Sequence, residues 1–312
     1  MPTTLDNKQP RNGNGRKTPR KLSSVSQALL LFVPILACTF IACGLPFVAA
    51  AAGTSINVNP VTGDDSQRGA ASGTSCKTIA RAVQLNVASL LNLSAGVYSE
   101  ATVSISNVGS LVISGVPNAT VFDCSRRQGA TQGPAFIIVN STVSITGVSF
   151  QACSNPTSHG GAVSANGSSL VVSQCSFKGC SAASGGAMSV TGPGSGLFLS
   201  VQSSTFSNNS ATGRSEDCPD TSSPSLPCST WGGAIAAFEM FNFSVSGCTM
   251  VDNKAVAGQF QSASFSSVAG GGCVSVLFRG NASGSTVHIR GSKFLQCIVD
   301  VDIASGTRGN GA

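Results

Sequence analysis

Charge is what this 312-residue sequence has least of: Asp, Glu, Lys and Arg make up 10% of it, well below the roughly 25% of an ordinary globular protein. Surface ion-pair networks are therefore excluded as the source of order. Aromatic platforms are scarce, with one Trp (Trp231) and one Tyr (Tyr98), which argues against a carbohydrate cleft built on stacked rings. Two histidines, His159 and His288, give little material for acid-base or metal chemistry. Neither has a Ser/Asp or Cys partner close in sequence, and both read as solvated residues, His159 in a bend and His288 on the outward side of a strand. The formal charge of +6 is not a nucleic-acid signature. Lys8, Arg11, Arg16, Lys17, Arg20 and Lys21 outweigh Asp6 in the head, leaving 12 Lys/Arg and 11 Asp/Glu for the rest.

The abundant features begin with an apolar stretch over residues 28–52, behind the basic head of residues 1–27. It is long enough to cross a hydrocarbon core of about 30 Å, and the positive flank holds the N-terminal side in the cytoplasm. The expectation is an exported body, residues 53–312, led by a signal peptide or held to the membrane by a signal anchor. Seven sequons follow, at Asn92, Asn118, Asn140, Asn166, Asn208, Asn242 and Asn281, and ten of the 12 cysteines lie in the exported part. Both fit an oxidising secretory route that ends at the cell surface or outside it.

A block recurs along the exported part. Phe150-Gln-Ala-Cys153 leads to Gly160-Gly-Ala-Val163, Phe177-Lys-Gly-Cys180 to Gly185-Gly-Ala-Met188, and Phe206-Ser-Asn-Asn209 to Gly232-Gly-Ala-Ile235. Met250-Val-Asp-Asn253 leads to Gly271-Gly-Cys-Val274, and Phe294-Leu-Gln-Cys297 is the last copy. Repeats of this length mark a solenoid, whose units bury apolar surface only by stacking. Between the blocks, runs such as Val143-Ser-Ile145 alternate with the period of half-buried strands. The spacing predicts an all-β parallel β-helix of one three-strand coil per repeat, with longer inserts at Gly213–Thr230 and Gly258–Val268. Stacked positions then form two ladders: an apolar column at Phe150, Phe177, Phe206, Met250 and Phe294, and a Cys/Asn column three residues on, its asparagines at left-handed bends.

These residues resemble the repeats of chlamydial polymorphic outer membrane proteins and their eukaryotic β-helix relatives, over about residues 143–297. Gly63-Asp-Asp-Ser66 and the helical spacing of Ile79, Ala80 and Val83 resemble the entry cap of right-handed, pectate-lyase-like β-helices. Met250 for Phe and Cys273 for Ala depart from the pattern, no outer-membrane barrel follows, and Gly309-Asn-Gly-Ala312 reads as a strand start cut short. The resemblance implies either a non-catalytic surface or matrix protein or a polysaccharide lyase or hydrolase.

Candidate chemistry is sparse. Cys153 and Cys180 stand at equivalent positions of consecutive coils, as a vertical disulfide or a stacked pair of thiols, and Cys218 and Cys228 flank an insert that a bridge would close. Asp64 and Asp65 read as turn-bonding carboxylates, and Glu216, Asp217 and Asp220 as a solvated acidic loop. Asp300 and Asp302 alternate on one side of a run, and Arg126-Arg127 reads as a solvated loop. No catalytic, cofactor-binding or metal-binding residue is assigned. The expected partners are extracellular polysaccharide or surface glycans, and the membrane if residues 28–52 are retained.

Overall fold

A computed structural model describes residues 54–66, 75–86, 88–127, 132–192, 196–213, 229–240, 242–257, 268–277 and 286–301. The head, the apolar segment of residues 28–52, and the paired Cys218 and Cys228 lie outside the described residues.

The described strands are short and pair in parallel, each with its counterpart one repeat away. One coil shows the course of the chain: Val163–Asn166, Ser169–Ser173, Ser176–Lys178 and Ser181–Ser184, after which Met188–Thr191 pairs on Val163–Asn166. Stacking these coils makes a parallel β-helix with four sheets. Sheet 1 has eight strands, from Thr54–Val58 to Thr286–Arg290; sheet 2 has seven, from Gly96–Tyr98 to Lys293–Leu295. Sheet 3 has five, from Ser154–His159 to Ile298–Val301; sheet 4 has six, from Val103–Ser106 to Val274–Leu277. Ser229–Trp231 and Val268–Gly270 form a small sheet of their own at the ends of the inserts. The three-strand coil expected from the spacing is thus corrected to four strands from Ser154–His159 onward, while the two preceding coils have three described strands. The runs Ser154–His159, Ser181–Ser184 and Ser210–Thr212 are too small or too polar to announce themselves, yet they pair as sheet 3.

Burial follows the period of two. Val143 and Ile145 are buried while Thr142, Ser144 and Thr146 are half-exposed. In sheet 2 the apolar column runs from Tyr98 through Phe122, Phe150, Phe177, Phe206 and Met250 to Phe294, one residue per coil in register. The rings of Phe150, Phe177 and Phe206 stack with centroids 4.9 and 4.7 Å apart at interplanar angles of 12° and 4°. The spacing is that of adjacent parallel strands, so ring stacking and backbone pairing reinforce each other.

The Cys/Asn column lies inside the coil rather than at left-handed backbone. Asn209 and Asn253 are fully buried, and the left-handed residue is the one before each: Gly179, Asn208 and Asp252, with φ of 63°, 53° and 53°. That residue turns the chain from sheet 2 to sheet 3 and aims the next side chain inward. The Gly-Gly pairs make the opposite corner. Gly185 has φ 63°, and a Cβ there would collide with the Met188 carbonyl.

Helix α1 (Ile79–Gln84) follows the first strand of sheet 1, with Thr78 as N-cap accepting from Arg81 N, and it buries Ile79 and Ala82. No helix among the described residues is long and apolar enough to cross a membrane.

Candidate functional site

The carboxylates with resolved bonds hold backbone. Asp64 accepts from Ser66 N and Oγ at 2.8 and 2.7 Å. Asp65 Oδ1 accepts from Lys77 N and Thr78 N at 2.8 and 3.0 Å, and its Oδ2 accepts from Thr78 Oγ1 at 2.8 Å. Glu100, which the sequence did not single out, receives Ile79 N on Oε1 at 2.9 Å and Ala80 N on Oε2 at 2.8 Å. It therefore satisfies two of the amide groups that a helix start leaves open. Burial pushes its carboxyl above the usual range, against the pull of those two amides.

Arg126 and Arg127 part company. Arg126 pairs with Asp123 at 2.9 Å on the surface. Arg127 is no solvated loop residue. It donates to the carbonyls of Gly133 and Pro134 at 2.7 and 3.1 Å and lies over the Phe122 ring at 5.6 Å. Burial lowers its affinity for its proton, and the negative charge of Glu100 opposes that loss. This is a structural strut within one coil, from the end of Thr120–Asp123 to the segment that leads into Phe136–Val139, built from a planar cation that can stack and donate at once.

The cysteines rearrange the expected pairing. Cys153 is bonded to Cys124, with Cα atoms 4.8 Å apart, and not to Cys180. Cys180 is a buried free thiol, as are Cys76, Cys175 and Cys248. The reason is directional. Ser154 pairs in register with Ser181, so the preceding cysteines point the same way, whereas the 3-10 turn at Cys124–Arg126 aims Cys124 differently. A second bridge, unanticipated, joins Cys273 to Cys297 across 5.1 Å.

Of the sequon asparagines, Asn118, Asn140, Asn166 and Asn208 are exposed at the coil corners, and Asn92 and Asn242 are half-buried in sheet 1. Asn281, Glu216, Asp217, Asp220 and Asp302 lie outside the described residues, and Asp300 stands in the last strand of sheet 3. His288 is exposed in Thr286–Arg290, and His159 ends the strand Ser154–His159 instead of occupying a bend. Tyr98 is buried in the core with its hydroxyl on the carbonyls of Val58 and Ser94. Burial raises its phenol pKa and takes the ring off the surface, so it offers no sugar platform.

The outer faces mix small polar side chains with exposed aliphatic ones such as Val97, Ile137 and Leu277. On sheet 1 one column runs from Asn57 and Asn92 through Thr146, Ser173 and Gln202 to Ser246. Neighbours in it bond vertically, Asn92 to Asn57 at 3.3 Å and Thr146 with Ser173 at 2.9 Å. No group of three or more His, Cys, Asp or Glu side chains suited to a metal occurs among the described residues.

No protein-family profile matches the chain, and no curated protein does. Among solved structures, a rhamnogalacturonan lyase aligns over 77% of this chain and 68% of its own at 12% identity, with a TM-score of 0.34. That likeness is too slight to bear on activity.

Proposed function

We propose that this chain is an exported β-helix that acts without catalysis, as an adhesive or matrix element binding extracellular polysaccharide or surface glycans. The observation that carries the reading is the use made of four of the described acids: Asp64, Asp65, Glu100 and Asp123 are engaged with backbone amides, hydroxyls or Arg126. On sheet 1 the outward column from Asn57 to Ser246 is instead hydroxyl and amide, repeating at about 4.8 Å, the spacing of parallel strands. A periodic polar surface suits many weak contacts with a polymer, whose avidity comes from repetition. In this reading residues 28–52 direct export, α1 closes the first coil of a right-handed helix, and the exposed sequons carry glycans.

The test is a panel of plant, fungal and animal polysaccharides offered to the full chain from a eukaryotic secretory host, scoring bound fraction and released chain ends in the same wells. Binding without release is expected. Saturable release of reducing or unsaturated ends would overturn the reading and assign a polysaccharide lyase or hydrolase.

A further inference from the structure

Sheet 4 carries an unusual serine on its outer face. Met188 and Val190 lie in the core, so Ser189 between them faces outward, in one column with Ser164 below and Ala236 above. Ser189 is nevertheless only 2% exposed, and its Oγ has no hydrogen-bond partner. An unmade bond of this kind is a net cost to the folded state. The fold does not need the hydroxyl, because Ala236 occupies the same column one coil on.

Two rings flank the strip. The His159 imidazole, exposed at the end of its sheet 3 strand, meets the half-exposed Phe238 ring at 6.1 Å with planes inclined by 57°. They come from coils two apart, since Phe238 pairs with Thr191 and Thr191 with Asn166. The His159 corner continues upward through Ser184 to Trp231, tied by Gly160 N on the Ser184 carbonyl and Gly185 N on the Trp231 carbonyl. None of the strip residues Ser164, Ser189, Ala236, Phe238 or His159 is an acid, a lysine or an arginine; Glu239 adjoins Phe238 in sequence. The corner between sheets 3 and 4 bears none of the sequons, and the sequon Asn166 stands in Phe238's column two strands below, at the far edge of the strip.

We propose that this strip is a binding subsite for an uncharged pyranose unit of an extracellular glycan. The inference rests on the binding role proposed above and locates it. Phe238 receives the C–H face of the sugar, Ser189 Oγ takes a ring hydroxyl once the imidazole yields its place on Phe238, and His159 then closes the open side. A uronic acid finds no guanidinium or ammonium group among the strip residues to meet its carboxylate.

The experiment titrates the full chain with hexasaccharides of mannan, xylan and β-glucan and with a hexagalacturonide, by calorimetry and by the emission of the single tryptophan, Trp231. A neutral hexasaccharide is expected to bind and shift Trp231 emission, and Phe238→Ala to weaken it about tenfold. Ser189→Ala separates binding from folding: affinity falls severalfold while the unfolding midpoint stays or rises. Neutral binding unchanged in both variants overturns the subsite and leaves the adhesive role standing. Binding of the hexagalacturonide alone overturns the ligand class, and no binding by any of the four overturns both.

Discussion

Asn209 donates through Nδ2 to Oδ1 of Asn253 at 2.9 Å, amide to amide between consecutive coils, with both residues fully out of solvent. Each amide is also tied to backbone: Asn209 accepts from Cys180 N at 2.9 Å and donates to the Phe177 carbonyl at 3.1 Å, and Asn253 donates to the Phe206 carbonyl at 3.0 Å. The ladder thus satisfies the polar groups exposed inside the coil where the chain turns from sheet 2 to sheet 3.

Replacing Asn209 by Ala would leave Cys180 N and the Phe177 carbonyl without their partner inside the core. The expected loss is about 3 kcal/mol, since each stranded group costs about 1–3 kcal/mol. Urea unfolding followed by far-UV circular dichroism measures it. A loss below about 0.5 kcal/mol would mean that the amide ladder is not a source of stability.

The stacked rings give a second, independent handle. Phe177 is fully buried between Phe150 and Phe206, so Phe177→Ala should cost about 3–5 kcal/mol and Phe177→Leu clearly less. A Phe177→Leu loss below about 1.5 kcal/mol, read from the same unfolding curves, would show that ring stacking adds nothing beyond apolar volume, and a loss equal to that of Phe177→Ala would make the ring the whole contribution.

How much of this was legible beforehand depended on periodicity. The Phe150, Phe177, Phe206, Met250 and Phe294 column was readable because each copy carries the same flanking block. Tyr98 and Phe122 were not, although they extend the column downward, because Gly96–Tyr98 and Thr120–Asp123 lack the Gly-Gly-Ala continuation. The 24-residue step from Tyr98 to Phe122 was the available signal. Contacts that cross the repeat were invisible. Glu100 binds amides 20 and 21 residues away, and Cys124 reaches Cys153 from a turn that belongs to no repeated block. Ser189 was hidden for the opposite reason, as one serine in a chain rich in them.

Glu100 gives a pH signature. Its folded-state pKa is raised by burial above the ordinary value of 4.5, so above that pH the folded state holds the proton more tightly than the unfolded chain does. Stability contributed by this group is therefore full below pH 4.5 and falls as pH rises through the folded pKa. Wild type compared with Glu100→Ala across that window should show the difference in unfolding free energy shrinking with rising pH. Hydrogen exchange at the amides of Ile79 and Ala80 should speed up in the variant at every pH. A pH-independent difference would place the raised pKa in the unfolded chain as well.

The cysteines can be sorted by reactivity. Burial pushes the Cys175 thiol up to about 11 and the Cys180 thiol up to about 12, so neither forms thiolate at neutral pH, and both are enclosed. Iodoacetamide applied to the native chain at pH 8 should leave Cys76, Cys175, Cys180 and Cys248 unmodified, and the same treatment in guanidinium should label all four. Mass mapping without reduction should return the peptides joined as Cys124–Cys153 and Cys273–Cys297. A peptide joining Cys153 to Cys180 would instead restore the in-register pairing, and it would require the coil turn at Cys124 to point away from the ladder. Replacing both Cys124 and Cys153 by Ser opens a loop of 29 residues, for which chain entropy sets a cost of about 3–4 kcal/mol. Because Cys153 is fully buried in the column that Cys180, Asn209 and Asn253 continue, that loss should appear with no rise in Cys180 labelling; a rise would show that the bridge, and not the stacking of coils, seals the ladder.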